Sequence, residues 1–149
     1  MSEVLFYHLQ RRTLESVIGD LLEKSLDRGW RVVVQSGSTE RRDALDGYLW
    51  TYREDAFLPH GTASDGREAD QPVYLTDGLE NPNQANVRFL VDRAVPPDLS
   101  PYERGVYIFD GNDEQSVVDA RLRWKEARSA GHAVTYWQEN ESGGFSKKA

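Results

Sequence analysis

Apolar residues in the first part of the chain change from a run of strand length to a helical repeat. Residues 4–8 form an apolar run, and Thr13 follows it as a possible helix N-cap. The next apolar positions have the spacing of a helix with one buried face: Leu14, Val17, Ile18, Leu21, Leu22 and Leu26. Gly29 marks the end of this helix. The pattern therefore predicts strand, turn and helix in that order.

A second strand is predicted at residues 30–34. Its consecutive Val32, Val33 and Val34 lack the alternation of a half-exposed strand, so we expect both faces to be covered, as in a parallel sheet. Residues 36–40 then turn the chain into a shorter helix. A turn of this kind can bind a phosphate, but this one lacks the lysine of a Walker A loop, and the chain has no G-x-G-x-x-G sequence. A nucleotide site here is the less favoured interpretation.

The remaining elements follow from similar runs and their flanking turn residues. We expect strands at residues 72–76, 86–91, 104–109 and 133–137, and a last helix at residues 114–129. This alternation predicts one α/β domain over residues 1–139 with a doubly wound, mostly parallel sheet. Residues 61–70 and the tail at residues 140–149 have the composition of flexible segments. Arg88 is expected to face outward or to lie at a sheet edge.

Composition narrows the class of protein. The 149 residues, 38% of them hydrophobic, are typical of one soluble globular domain, and no apolar run approaches the roughly 18 residues of a membrane helix. The chain has no cysteine and no visible secretion signal, which fits a cytoplasmic location. The net charge of -7 opposes strong direct binding to nucleic acid, because phosphate backbones are bound by cations.

Few residues are arranged for catalysis. The three histidines lie in different predicted elements, and no serine lies in a G-x-S-x-G motif. Three carboxylates follow a predicted strand: Asp110, Asp113 and Glu114. They are compatible with a magnesium site at a strand end, but helix capping is the favoured interpretation. We therefore predict no catalytic residue, no metal and no cofactor.

The densest aromatic stretch, residues 49–60, lies in a predicted connection. Loops normally run over the surface, so large rings such as Trp50 and Phe57 either fold back onto the core or wait for a partner. Both interpretations stay open. A third, direct stacking of single-stranded DNA on Trp50 and Tyr52, requires interleaved cations, and only Arg53 lies close by.

The last predicted helix places cations around an aromatic ring. At 100° per residue, Val117, Arg121, Trp124 and Arg128 fall in one quadrant, with Lys125 on its flank. One interpretation is a buried stripe of Val117, Ala120, Trp124 and Ala127 with solvated arginines beside it. The other is a pocket in which guanidinium groups bind a carboxylate and Trp124 supports an apolar side chain. On so acidic a protein, such a pocket suits an acidic peptide better than a nucleic-acid strand.

Several motifs carry a family resemblance. They are Leu49-Trp50 with Phe57-Leu58-Pro59-His60 and Pro72-Val73, then Phe109-Asp110-Gly111-Asn112-Asp113, and finally Ala120-Arg121-x-Arg123-Trp124-Lys125 up to Ala130-Gly131-His132. Together they span most of the chain. The sequence resembles the chi subunit of bacterial DNA polymerase III holoenzyme, a clamp-loader accessory protein.

The resemblance implies a Rossmann-like fold without catalytic activity and two protein partners. One is the acidic C-terminal tail of single-stranded-DNA-binding protein, which is expected to contact Arg121, Trp124, Lys125 and Arg128. The other is the psi subunit of the clamp loader, which is expected to contact Trp50, Phe57, Leu58 and Pro59. Val117 stands where some relatives have a basic residue, so the basic site is expected to be smaller here. The competing hypothesis is a nucleotide- or metal-dependent enzyme on the same scaffold.

Overall fold

Strands and helices alternate along the chain in the computed structural model, which describes residues 2–51, 59–142 and 144–149. The strands are β1 (Glu3–Leu9), β2 (Val32–Gln35), β3 (Val73–Thr76), β4 (Val87–Leu90), β5 (Arg104–Asp110), β6 (Ala133–Glu139) and β7 (Phe145–Lys147). The helices are α1 (Leu14–Asp27), α2 (Thr39–Trp50) and α3 (Glu114–Ser129), with two short 3-10 helices at Ala63–Asp65 and Glu68–Asp70. None of the helices in these ranges combines the length and the apolar character that a bilayer crossing requires.

The strands form one sheet in the order β3-β2-β4-β5-β1-β6-β7. All neighbours pair in parallel except β7, which runs antiparallel to β6. The predicted α/β class with a mostly parallel sheet is therefore confirmed, and the sheet is consistent with a Rossmann-like fold. The carboxyl ends of the parallel strands share one edge, where such folds commonly bind ligands.

Both faces of the sheet are covered, as the valine run predicted. Val32 and Val34 point to the face that α1 and α2 cover, and Val33 points to the face that α3 covers. All three valines are fully buried. Thr13 caps α1, because its side chain accepts a hydrogen bond from the Ser16 N–H at 3.2 Å. The helix buries the predicted apolar stripe.

The prediction that Arg88 faces outward or lies at a sheet edge is wrong. Arg88 lies in β4, between β2 and β5, and its exposed fraction is 0%. Its guanidinium donates to the side chain of Gln35 at 2.8 Å, to the Tyr102 hydroxyl at 3.0 Å, and to the backbone oxygens of Gly78 and Glu80. A buried cation is tolerated where its donors find acceptors. These acceptors come from separate parts of the chain, so a local sequence pattern does not reveal them.

The C-terminal segment differs from the predicted flexible tail. Phe145–Lys147 forms β7, and the Lys148 N–H donates to the backbone carbonyl oxygen of Tyr136 at 2.8 Å. The Phe145 ring packs edge-on against Tyr7 at 5.0 Å between centroids. The side-chain oxygen of Asn140 accepts from the N–H groups of Ser142 and Gly144 and so shapes the turn before β7. One aromatic residue in a polar segment thus supplies the packing for an edge strand.

Residues 61–70 also have more structure than their composition predicted. Gly61 forms a parallel bridge to Tyr74 beside β3. Thr62 and Asp65 form a capping box around the first 3-10 helix, and Thr62 is buried. The segment is therefore attached to the sheet edge at its start, which local Gly, Ser and Asp content does not indicate.

Candidate functional site

Helix α3 begins after the loop that leaves β5. Asp113 occupies the N-cap position, and its carboxylate accepts a hydrogen bond from the Ser116 hydroxyl at 2.6 Å rather than from a helix amide. The Asp110 carboxylate accepts from the Asn112 N–H at 2.9 Å. Both acids thus stabilise the turn that starts the helix. No group of His, Asp or Glu within the described ranges has an arrangement that could hold a metal ion.

The predicted basic face of α3 lies at the surface. Arg121, Lys125 and Arg128 are exposed, and Trp124 is partly buried between them. Within residues 2–51, 59–142 and 144–149, none of the three cations forms an ion pair with an acidic side chain. Arg123, on the same helix, differs, because its guanidinium contacts the Glu126 carboxylate at 2.9 Å. The face therefore carries positive charge that the neighbouring protein surface does not neutralise.

Trp124 connects this surface to the core. Its ring lies 5.5 Å from Phe6 and 5.9 Å from Tyr136 between centroids, and Phe6 in turn stacks on Tyr107 at 4.6 Å. Aromatic rings at such distances attract one another and hold their mutual orientation. Two members of the alternative stripe, Ala120 and Ala127, are indeed buried. Trp124 is therefore both a core residue on one side and an accessible apolar surface on the other.

Tyr136 packs against the Trp124 ring, and His8 packs against Tyr136 in turn; neither residue was predicted to belong to this site. The Tyr136 hydroxyl hydrogen-bonds to Nδ1 of His8, and both rings pack with Phe109. Burial raises the pKa of Tyr136, and the charge of Arg121 opposes that rise. Burial lowers the pKa of His8, which favours a neutral imidazole at pH 7. The alternation of side chains along a strand could have indicated this grouping. Phe6 and His8 are two residues apart in β1, and Tyr136 pairs with Phe6, so all three lie on the same face of the sheet.

The second predicted surface lies at the end of α2. Trp50 is the last residue of this helix and not part of a loop, which corrects the prediction, and 54% of its surface is exposed. Its ring lies 4.4 Å from that of His60, and Nε2 of the buried His60 lies 3.2 Å from the Asp46 carboxylate. Pro59 is partly buried. The predicted contact residues Phe57 and Leu58 lie outside the described residues.

The backbone of the turn between β1 and α1 binds a carboxylate of the protein itself. The carboxylate of Glu139, at the end of β6, accepts hydrogen bonds from the N–H groups of Gln10, Arg11 and Arg12 at 3.1, 3.1 and 3.0 Å. Only 3% of Glu139 is exposed. Burial alone would raise the pKa of Glu139, but the backbone donors lower it below its usual value. In dinucleotide-binding folds, amides of this first strand-to-helix turn bind phosphate.

Comparisons with known proteins agree on one family. A family model described as "DNA polymerase III chi subunit, HolC" matches residues 1–135. A protein of Rickettsia prowazekii named "Probable DNA polymerase III subunit chi" is 32% identical over 100 residues, which cover 67% of this chain and 59% of that protein. "DNA polymerase III subunit chi" of Pseudomonas aeruginosa is 40% identical over 62 residues, which cover 42% of this chain and 41% of that relative. This chain thus spans less than two thirds of the length of either relative.

Proposed function

This chain belongs to the DNA polymerase III chi subunit family, and from that premise we propose that it is a non-catalytic replication subunit. In this proposal, it links the clamp loader, through the psi subunit, to single-stranded-DNA-binding protein. The acidic C-terminal tail of the latter binds the α3 face formed by Arg121, Trp124, Lys125 and Arg128.

One observation carries the tail-binding proposal. Arg121, Lys125 and Arg128 are exposed beside a partly exposed indole ring and have no acidic partner among the described residues, on a protein whose net charge is -7. A peptide that ends in an apolar residue and carries aspartates before it presents a carboxylate, side-chain anions and an apolar group together. Guanidinium groups bind carboxylates through paired, charge-assisted hydrogen bonds, and the indole supplies apolar contact area. The face therefore matches both parts of such a peptide.

Calorimetric titration with the tail peptide tests this proposal. Arg128→Glu should weaken binding by about 2 kcal/mol or more, because it removes a charge-assisted contact and adds repulsion. Arg67→Glu is the matched control, since it changes the net charge equally from a side chain that is 82% exposed on another part of the surface. Equal weakening by both changes would reduce the site to a general electrostatic field. Unchanged affinity of Arg128→Glu would remove the site from α3.

We also propose that the psi subunit contacts Trp50, Phe57, Leu58 and Pro59. The support is the large exposed fraction of Trp50 at a helix end, because exposed aromatic anchors often dominate an interface. Trp50→Ala should lose the psi partner in a pull-down, at a cost of about 2 kcal/mol or more. Leu122→Ala is a suitable control, because Leu122 is 49% exposed on a different helix. If Trp50→Ala instead unfolds the isolated domain, the residue is structural and this assignment fails.

The competing hypothesis of a nucleotide-dependent enzyme has less support. A phosphate at the β1–α1 turn would have to displace the Glu139 carboxylate from three backbone donors. Titration with ATP at physiological salt should therefore give no saturable micromolar binding, and such binding would contradict the proposal. The same expectation holds for single-stranded DNA, because the protein is acidic.

A further inference from the structure

Helices cover both faces of the sheet at β2, but only one face at β6. On one side of the sheet, α1 contacts β2 and β5, and α2 contacts β3. On the opposite side, α3 contacts β1, β5 and β6. Within the parts of the chain that the structure describes, neither α1 nor α2 makes more than marginal contact with β6 or β7. Parallel sheets are normally covered on both faces, so the α1 side of β6 and β7 lacks a layer that this class of fold usually has.

The uncovered face is aromatic. Tyr7 of β1 pairs in register with Trp137 of β6, and Trp137 pairs with Lys147 of β7. Thr135 and Phe145 lie two residues before Trp137 and Lys147, and therefore on the same face, because side chains alternate along a strand. The three rings are only partly buried. We call this surface the β6–β7 patch; it consists of Tyr7, Thr135, Trp137, Phe145 and Lys147.

The rings of the patch differ in how they pack. Phe145 and Tyr7 meet edge-on at 5.0 Å between centroids, and both pack against the core on the α1 side. Trp137, in contrast, belongs to neither group of packed core residues. Its indole N–H donates to the Thr135 hydroxyl at 3.2 Å, so its polar atom is paired within the patch. An indole with its donor satisfied and its ring not packed in the core is a suitable anchor for a protein interface.

A lysine lies on each side of the patch. Lys147 belongs to the edge strand, and Lys24 of α1 lines the groove between α1 and β1 together with Tyr7. Both lysines are exposed, and neither forms an ion pair with an acidic side chain among the described residues. The same groove wall has Arg28 and Asp27, whose charges offset each other. The aromatic floor is therefore flanked by positive charge, on a protein whose net charge is -7.

We propose that the β6–β7 patch binds an amphipathic helix of a partner protein, with acidic residues on both sides of its apolar stripe. From β1 to β7 the patch spans two strand spacings, about 10 Å, which is close to the diameter of an α-helix. The apolar stripe packs on Trp137 and Tyr7, and the acidic residues pair with Lys24 and Lys147. The bound helix supplies the layer that β6 and β7 lack on this side.

Other occupants fit the patch less well. A symmetric contact between two copies of this chain would bring the same lysines to both sides of the interface, and like charges oppose such a contact. An extended peptide would bond to the edge of β7 and leave the rings uncovered. The patch goes beyond the proposed function, because it lies on the side of the sheet opposite α3 and at the other end of the sheet from α2 and β3.

Titration with a synthetic helical peptide, followed by amide shifts in NMR spectra, tests the proposal on the full chain. The peptide has about 20 residues, long enough to be helical, with leucines at helical spacing and glutamates elsewhere. Saturable shifts are expected at Thr135, Trp137 and Phe145. A twin with lysines in place of the glutamates should bind there at least about tenfold more weakly. Absence of shifts at these residues, or equal affinity of the two peptides, would overturn the proposal.

Affinity is read from the residues of the patch alone. Binding of the acidic peptide at α3 then counts neither for nor against this proposal, and the proposed function can fail without it. A second twin of the acidic peptide carries two prolines in its middle, which interrupt a helix. It should bind the patch several-fold more weakly. Equal binding of this twin would mean that the occupant is not a helix.

Two neighbouring lysines give a matched pair of variants. Lys147→Glu should weaken binding of the acidic peptide several-fold, because it removes an ion pair and adds repulsion. Lys148→Glu changes the net charge equally one position away, and its side chain points to the opposite face, so it should leave affinity at the patch nearly unchanged. Equal weakening by both variants would show only a general electrostatic field and would remove the assignment to this face.

Trp137→Ala tests the anchor itself. It should weaken binding of the acidic peptide about tenfold or more, since aromatic anchors carry much of the energy of an interface. It should also leave the urea midpoint nearly unchanged, because the ring is not packed in the core. If Trp137→Ala unfolds the chain, the ring is structural and the proposal is wrong. If it leaves both folding and affinity unchanged, the peptide does not bind through this ring, and the proposal is equally wrong.

Discussion

The β1–α1 turn and the α3 face both favour negative charge, but only the turn has a carboxylate of the protein bound to it. At the turn, the Glu139 carboxylate already accepts from the N–H groups of residues 10, 11 and 12. On α3, the described chain offers no carboxylate to Arg121, Lys125 or Arg128. The anion preference of the turn is therefore met by a side chain of the fold, whereas that of the α3 face is not met by any residue that the structure describes.

The contrast extends along the carboxyl ends of the strands. A cavity of about 580 Å³ lies at this edge and is lined by arginines, at the place where related folds bind ligands. Two of its arginines, however, pair with nearby acids: Arg41 lies 3.4 Å from Asp92, and Arg93 lies 2.6 Å from Asp119. Internal acids thus neutralise much of the edge where a nucleotide would be expected. On α3, by contrast, no acidic side chain of the described residues pairs with Arg121, Lys125 or Arg128.

The largest expected effect is a loss of stability when the Glu139 carboxylate is removed from the β1–α1 turn. Glu139→Ala leaves three backbone N–H groups without their acceptor, and we expect the free energy of unfolding to fall by about 3 kcal/mol or more. Urea denaturation measures the change. Glu141→Ala is the matched control, because Glu141 is an exposed residue two positions away and should change stability by less than about 0.5 kcal/mol. Equal effects of the two changes would mean that the carboxylate of Glu139 stabilises nothing.

The unmatched cations can be compared with a matched one on the same helix. Arg121→Ala and Lys125→Ala should each weaken binding of the acidic tail by about 1 kcal/mol, because each removes one charge-assisted contact. Arg123→Ala should have a smaller effect, since the guanidinium of Arg123 is already paired with Glu126 at 2.9 Å. Titration calorimetry on the three variants checks the order. If Arg123→Ala weakens the tail most, the missing acidic partners on α3 do not define the site.

In these two regions, the elements with periodic apolar spacing could be predicted from the sequence, and the long-range contacts could not. The elements of the sheet, and the helical face around Trp124, follow from apolar spacing, because periodicity depends only on neighbours along the chain. Glu139 and Arg88 were not foreseen as anchors, since their partners lie far away in sequence and come together only when the strands are in order. Phe145 was missed for a related reason: one ring in a polar segment gives no periodicity, and its packing against Tyr7 exists only in the sheet.

Acid should weaken the turn before it unfolds an unrelated part of the fold. Because the backbone donors lower the pKa of Glu139 below its usual value of 4.5, its contribution is fully present above that value and is lost as pH falls through the lower folded pKa. We expect the stability difference between the native chain and Glu139→Gln to shrink as pH falls below about 4.5. Urea midpoints measured between pH 6 and pH 3 test this. A difference that stays constant over that range would contradict the assigned direction of the pKa shift.

The smallest expected effect is a difference in salt dependence: added salt should weaken binding at the α3 face but leave the contribution of Glu139 to stability nearly unchanged. The cations on α3 are exposed, so added salt screens their attraction to an acidic peptide over a distance of about 8 Å at physiological ionic strength. We expect tail affinity to fall several-fold as NaCl is raised from low to high concentration, while Arg128→Glu shows a shallower salt dependence.

Glu139 is buried and bonded directly to amides, so the stability that Glu139→Ala removes should be nearly independent of salt. Tail binding that is insensitive to salt would mean that apolar contacts with Trp124 dominate and that the cations of α3 contribute little. A strong salt dependence of the Glu139 effect would mean that the carboxylate acts through long-range charge and not through its three hydrogen bonds.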